Sequence, residues 1–136
     1  MKNDGSLTSK VVSAIAPATY TATETGTGFD TQGFEFCEIV LHAGTFTGDE
    51  TMTLTVETST ASLSGYAAIS GAAFTAISTS NHEAIYRAVV RLDGAERYIR
   101  CVGTNNAGTG NAVYGVVAIL KNAVDSADAS AVAFSV

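Results

Sequence analysis

The sequence TMTLTVET, residues 51–58, alternates apolar and polar side chains as far as Glu57. Met52, Leu54 and Val56 occupy every second place, with polar residues between them. Successive side chains of a β-strand point to opposite faces of its sheet, so this alternation predicts a strand with one face buried and a threonine face in water. A half-buried strand of this kind is typical of antiparallel sheets.

The β pattern extends over most of the chain, and no window of a dozen residues shows a sustained helical period. Glycine, proline and asparagine breakers separate predicted strands at residues 10–16, 19–24, 34–43, 51–58, 66–70, 73–79, 83–92, 96–104 and 111–121. Two runs, FEFCEIVLHAG and AVYGVVAILK, are apolar on both faces and are predicted to be central strands. The spacing predicts one all-β domain over residues 1–136, an antiparallel β-sandwich or β-barrel of the jelly-roll or immunoglobulin-like kind.

The two ends differ from this predicted β core of residues 10–121. Residues 1–9 are polar, residues 122–131 read NAVDSADASA, and the last five residues, VAFSV, are apolar again. We expect an extended N-terminal arm over residues 1–9 and an extended C-terminal arm over residues 122–136. An apolar tail is a liability in water unless it packs on its own domain or on a neighbour, which makes Phe134 a candidate contact residue.

Charge and hydropathy exclude several classes of function. The formal net charge of -6 argues against direct nucleic-acid binding, which normally needs a wide basic surface. No apolar run reaches the length of a membrane span. The polar start of the chain does not resemble a signal peptide, so we expect synthesis in a cytoplasm without export. Only 15% of the residues are charged, and such a neutral surface favours an assembly over a dispersed monomer.

The sequence contains no recognisable catalytic or metal-binding motif. His42 and His82 stand apart from other ligand residues, and TGTGFD, residues 25–30, lacks the lysine of a phosphate-binding loop. A nucleophile motif and a marked pair of glycosidase carboxylates are also missing. Cys37 and Cys101 lie in apolar runs and are predicted to be buried thiols, with a disulfide between neighbouring strands as the alternative. We therefore expect a protein without enzymatic activity or cofactor.

All four arginines lie in RAVVRLDGAERYIRCV, residues 87–102. Asp93-Gly94 between two strand-like runs predicts a β-hairpin, with Arg87 and Arg91 on one face. In one interpretation this is a solvated face whose arginines pair with Glu83, Glu96 or Glu35 of the same chain. In the other it docks another protein, since arginine and tyrosine are common at interface hot spots. The candidate interface residues are Arg87, Arg91, Arg97, Tyr98, Arg100, Lys10 and Phe134.

Several segments carry a family pattern. Residues 16–46 contain an Ala-Pro pair, the turn Gly28-x-Asp30-x-x-Gly33-Phe34 and a long strand that ends in glycine. The segments TLTVETS and AFTAIS follow, and then RLDGAERYIRCVGTNNAGTGNAVYGVVAIL, whose matching positions include Gly94, Arg97, Tyr98, Arg100 and Gly110. Over roughly residues 14–121 the chain resembles a family of small virion proteins of tailed bacteriophages. It departs from many relatives at ETSTASLSG, where they carry an acidic turn.

The resemblance implies a head decoration, or cement, protein. Such proteins are β-sandwiches or β-barrels that often sit as homo-trimers on the outside of the capsid, where they bridge subunits of the major capsid protein. The implied location is the virion exterior, after assembly in the host cytoplasm. A tail or connector protein of the virion and a carbohydrate-binding β-sandwich are the alternatives.

Overall fold

A computed structural model describes residues 9–106 and 108–122, together with the backbone of residues 134–135. These described residues form β-strands and contain no helix. The strands are β1 (Ser9–Tyr20), β2 (Glu24–Thr25), β3 (Phe29–Asp30), β4 (Phe36–Phe46), β5 (Thr51–Ser59), β6 (Ala67–Ala73), β7 (Ala84–Arg91), β8 (Tyr98–Asn106), β9 (Ala112–Lys121) and β10 (Phe134–Ser135).

The strands form two antiparallel sheets that pack face to face. Sheet I has the order β1-β9-β4-β7-β10, and sheet II has the order β2-β8-β5-β6, with β3 also paired to β8. The predicted all-β fold is confirmed. Of the two architectures that the sequence allowed, the structure is the sandwich, because the two sheets do not close into a barrel.

The core lies between the sheets and follows the predicted alternation. Met52, Leu54 and Val56 of β5 have no exposed surface, while the threonines between them are half-buried. In sheet I, β4 and β9 occupy interior positions between other strands, as their apolar runs predict. The inward side chains of β4 and β9 close the core from the other side, among them Ile39, Leu41, Val116 and Leu120.

The predicted break at Pro17 is wrong, because β1 continues through it from Ser9 to Tyr20. Among the described strands, β1 lies at the edge of sheet I and pairs only with β9, and an edge strand tolerates a residue without an amide proton. The register shifts between Ser13 and Ile15 and again between Ile15 and Ala18. These bulges absorb the irregularity that proline introduces.

The predicted strand at residues 73–79 is also largely wrong. After β6 ends, only Ile77 forms a bridge, opposite Met52. Phe74 and Ile77 are both buried, yet residues three apart would point to opposite faces of a regular strand. The segment therefore follows β5 loosely, since burying both side chains requires an irregular backbone.

The predicted hairpin at Asp93-Gly94 does not form. β7 pairs with β4 and β10 in sheet I, whereas β8 pairs with β5 in sheet II, so the turn carries the chain from one sheet to the other. Neither Asp93 nor Gly94 has the positive φ that both central residues of the common two-residue hairpin turn adopt. The turn is instead closed by a hydrogen bond from the Ala95 amide to the Leu92 carbonyl, 3.2 Å long.

The predicted arms lie mostly outside the described residues. Ser9, the last residue of the predicted N-terminal arm, belongs to β1, and residues 1–8 are not described. Within the predicted C-terminal arm, the backbone of Phe134 pairs with Ala88 and that of Ser135 with Arg87. This short strand extends sheet I beyond β7.

Candidate functional site

The structure separates the four arginines into two groups. Arg87 and Arg91 belong to β7 of sheet I, while Arg97 and Arg100 lie just before and within β8 of sheet II. The outer faces of a sandwich point in opposite directions, so the four side chains do not form one stripe. The prediction of a single arginine hairpin is corrected to two distant surfaces.

On sheet I, the carboxylate of Glu38 joins two basic side chains. Arg87 Nε donates a hydrogen bond to Glu38 Oε1, and Lys121 Nζ donates one of 2.6 Å to Oε2. β4 lies between β7 and β9, which places Glu38 between the two cations. Burial alone would raise the pKa of the Glu38 carboxyl, but the hydrogen bonds from Lys121 and Arg87 outweigh it and lower that pKa. We call Glu38, Arg87 and Lys121 the Glu38 cluster.

Arg91 has a weaker partner at the end of the same strand. Its guanidinium lies 3.4 Å from the carboxylate of Asp93, and the side chains are 50% and 71% exposed. An ion pair this exposed contributes little to stability, because water already solvates both charges. Arg91 therefore remains available to a partner.

On sheet II, Arg97 donates two parallel hydrogen bonds to the carboxylate of Asp30. Nε donates to Oδ1 over 3.0 Å and a terminal guanidinium nitrogen donates to Oδ2 over 2.7 Å, a bidentate pair. The hydrogen bond from Arg97, aided by the Gln32 amide, lowers the pKa of Asp30 to about 2. Thr31 fixes the same junction, since its amide and hydroxyl both donate to the Arg97 carbonyl.

Arg100 lies in a more enclosed setting on the same sheet. Its Nε donates to Glu57 over 2.6 Å, and its guanidinium stacks 4.2 Å from the ring centre of Tyr66. The Tyr66 hydroxyl donates to the Ser62 carbonyl over 2.9 Å, which ties the loop after β5 to this cluster. The Arg100 side chain is only 27% exposed, so it mainly stabilises the packing of Glu57 and Tyr66 on this sheet.

Each of the four arginines forms an ion pair within the domain, as the first interpretation predicts, and such pairing does not exclude docking. Glu83, Glu96 and Glu35 were expected, and the observed partners are Glu38, Asp93, Asp30 and Glu57. The error follows from the hairpin, because a wrong pairing of β7 and β8 brings the wrong carboxylates close. The alternation in β5 could have identified one partner, because it places Glu57 on the solvent-facing side of the strand together with the threonines.

Three candidate interface residues are not arginines: Tyr98, Lys10 and Phe134. The ring centre of Tyr98 lies 5.3 Å from the Arg97 guanidinium. Lys10 is exposed on β1 and close enough to Asp30 to help lower the pKa of that carboxyl. Lys10, Arg97 and Tyr98 thus belong to one region. The backbone of Phe134 lies on the opposite sheet, paired with β7, and its side chain is outside the described residues.

Sequence reasoning missed a hollow on the outer face of sheet I. The hollow has a volume of about 420 Å³ and is lined by β1, β9, β4 and β7 through residues that include Pro17, Val40, His42, Ile85, Val113 and Val117. The signal was present in AVYGVVAILK, which is apolar on both faces. One of those faces is the core and the other borders this hollow.

The remaining groups with chemical potential are enclosed. Cys37 and Cys101 are free and buried, as predicted, and burial raises the pKa of the Cys37 thiol to about 12 and raises that of Cys101 as well. His82 accepts a hydrogen bond of 2.9 Å at Nδ1 from the Phe46 amide. No three His, Cys, Asp or Glu side chains of the described residues come together as metal ligands.

The described part of the chain has no helix that could cross a membrane.

No protein-family model matches this sequence, and no curated protein matches it. The resemblance to phage virion proteins therefore depends on its motif positions. Asp30 of the first motif and Arg97 of the last lie 67 residues apart in the sequence and meet in the bidentate pair. β3 and β8 pair beside them, with Phe29 opposite Ile99 and Asp30 opposite Tyr98.

Proposed function

We propose that this protein is a head decoration protein of a tailed bacteriophage, which binds the outer surface of the assembled head and bridges subunits of the major capsid protein. The observation that carries the proposal is the Asp30–Arg97 pair. It unites the Gly28-x-Asp30-x-x-Gly33 turn with the Arg97-Tyr98 segment, so the two parts of the resemblance form one structural unit.

The surface around this unit is suited to docking. The Arg97 side chain is 48% exposed while its guanidinium is held in position by Asp30. Holding an arginine in place before binding reduces the side-chain entropy that an interface must overcome. Lys10 and the Tyr98 ring lie close by, which gives the region both charge and an aromatic surface. We propose this region as the contact with the capsid.

Stabilisation of the head follows from mass action. A protein that binds the assembled lattice and not the dissociated subunits shifts the equilibrium toward the lattice. Weak individual contacts suffice when symmetry repeats them, and we propose that homo-trimers supply this repetition. The proposal needs no cofactor and no chemical step.

Binding to heads tests the proposal. The purified chain is mixed with heads assembled from the major capsid protein of the same phage genome, and bound protein is measured by cosedimentation. We expect saturation at a copy number comparable to that of the coat protein, and a higher melting temperature of the head. A few copies per particle would instead indicate a tail or connector protein. Absence of head binding together with binding to a glycan array would indicate a carbohydrate-binding module.

Variants of the Asp30–Arg97 pair test whether this region contacts the capsid. We expect Arg97→Ala to weaken head binding, because it removes the exposed guanidinium. Asp30→Asn is the comparison variant: it keeps the guanidinium and loses only the charge that holds it, so it should weaken head binding less than Arg97→Ala does. Melting temperatures of both variants show whether the fold is retained. If Arg97→Ala binds heads as well as the parent chain, this region is not the capsid contact.

A further inference from the structure

Part of the outer face of sheet I is apolar. Among the described residues, five large apolar side chains are exposed, and four of them lie on this face. These are Val11 at 67%, Ile85 at 65%, Val117 at 40% and Val113 at 37%, whereas the fifth, Leu63, lies on the loop after β5. A contiguous apolar patch on a soluble protein marks an interaction site, while scattered single residues do not.

Two glycines line the hollow, Gly115 of β9 and Gly44 of β4, and a neighbouring side chain packs closely over each of them. A methyl group on Gly115 would lie 2.9 Å from Pro17 Cβ, and one on Gly44 would lie 3.0 Å from a Val113 methyl. The valine, isoleucine and proline side chains then stand as walls around a shallow space of about 420 Å³.

Among the described residues that line the hollow, none is Asp, Glu, Lys or Arg. Charges border it instead. The Glu38 cluster lies along one side, and near the other end Glu83 accepts a hydrogen bond of 3.0 Å from the Thr45 hydroxyl. An apolar centre with a polar, internally paired rim is the usual composition of a protein interface.

We propose that this face binds the same face of a second copy of the chain. Two copies that each carry a net charge of -6 repel one another overall, and a surface without charged side chains adds nothing to that repulsion. A patch that meets itself forms a two-fold interface, the most common arrangement in homo-oligomers. Two sheets packed face to face bury their apolar rows in the same way as the two layers of a sandwich.

The size of the face fits such a contact. Four strands at a spacing of about 4.8 Å are roughly 19 Å wide, and eight residues at about 3.3 Å each extend roughly 26 Å. The projected area is therefore roughly 500 Å² per copy, and it includes the charged border at Glu38 and Arg87 as well as the hollow. This lies at the lower end of specific interfaces, so the association should depend on concentration.

The strand register gives the pairing a definite geometry. Gly115 of β9, His42 of β4 and Ile85 of β7 lie side by side in one row, and Pro17 packs over Gly115 from β1. A two-fold axis along the strands, between β4 and β9, would place His42 of each copy over Gly115 of the other. The same axis would place the protruding Ile85 over Pro17.

This inference does not depend on the proposed function. A face that pairs with itself joins copies in twos, so the isolated chain should contain an even number of subunits. That number is two for a simple pair, or six if trimers pair through this face.

Sedimentation velocity and light scattering of the isolated chain at about 0.1 mM, above the micromolar range expected for a small interface, test the inference. We expect an even number of subunits, and half the mass in the variants Ile85→Asp and Val117→Asp. Both side chains point outward, so the variants should keep the far-ultraviolet circular dichroism of the parent.

Leu63→Asp is the matched control, since it places the same charge at an exposed apolar residue outside the face. It should leave the mass unchanged. A parent chain with an odd number of subunits, or a single one, would overturn the inference. So would a loss of mass in Leu63→Asp, which would indicate a head-to-tail contact, or parental masses in both variants on the face.

Discussion

Glu38 is the one acidic residue of β4 and is only 9% exposed, yet it remains a charged group. A buried carboxylate is costly unless hydrogen bonds and opposite charges compensate for lost hydration. Arg87 and Lys121 provide both. The side chains of Arg87 and Lys121 remain 56% and 39% exposed, so water still solvates both cations. The Glu38 carboxylate therefore loses its own water but gains two hydrogen bonds from partly hydrated cations.

Removing the charge of Glu38 should therefore destabilise the fold modestly. We expect Glu38→Gln to lower the free energy of unfolding by about 1 kcal/mol, since the two cations can recover water. Arg91→Gln is the control, because the Arg91–Asp93 pair is exposed and its loss should cost close to nothing. Urea unfolding at neutral pH measures both, and equal losses in the two variants would contradict the expectation.

Asp30 makes the stability of the domain depend on pH. The pKa of Asp30 is about 2 in the folded protein, below the ordinary value of 3.8. As the pH falls, Asp30 is therefore protonated in the unfolded chain before it is protonated in the folded one. The stabilising contribution is present above the ordinary value and is lost as the pH falls toward about 2. Asp30→Asn should be less stable than the parent at neutral pH and should lose less stability on acidification over this window. Parallel urea midpoints in parent and variant across the window would contradict this.

At the scale of the elements, β8 and β9 belong to different sheets and meet in the core at one close contact. Gly103 of β8 faces the ring of Tyr114, and a methyl group there would lie 2.8 Å from the Tyr114 Cζ. Tyr114 is 1% exposed and packs against Tyr20 with the two rings tilted and their centres 4.9 Å apart, so it has little room to move. Its hydroxyl has no hydrogen-bond partner among the described residues.

This contact can be tested with a double-mutant cycle. We expect Gly103→Ala to cost about 1–3 kcal/mol through overpacking, and Tyr114→Phe to be close to neutral because the lost hydroxyl is unpaired. In the double variant the cost of the alanine should fall, since the hydroxyl no longer obstructs the methyl group. Strictly additive free energies of unfolding would show that the hydroxyl is not the obstacle.

The elements also show how far the sequence could predict this fold. Alternation is local, so the buried face of β5 was predicted correctly. Strand pairing is not local, and Asp93-Gly94 specified a turn without specifying whether the next strand joins the same sheet. Phe74 and Ile77 carried a warning in their spacing, because two buried residues three apart do not fit a regular strand.

At the scale of the whole molecule, the two sheets share one core and should unfold together. Side chains from both sheets contribute to a single cluster of buried residues, so neither sheet can keep its apolar face covered alone. We expect one two-state transition in denaturant, with the same midpoint for far-ultraviolet circular dichroism and for the near-ultraviolet signal of buried Tyr114 and the partly buried tyrosines. Separate midpoints would show that one sheet unfolds first.

The candidate surfaces were less predictable than the fold. The arginines stood out because they cluster in the sequence, but the crossover between sheets places them on opposite sides of the molecule. The hollow on sheet I depends on which strands become neighbours, since Gly115 and His42 come from distant parts of the chain. No local pattern encodes such a juxtaposition.

The two enclosed cysteines have a practical consequence. Both sulfur atoms are inaccessible, and the raised pKa of each thiol keeps it protonated near neutral pH, where only thiolates react rapidly. A single cysteine introduced on the surface would then be the preferred target for a maleimide dye or a gold cluster. The natural chain could carry one optical or electron-dense tag at a chosen position, without removing either native cysteine.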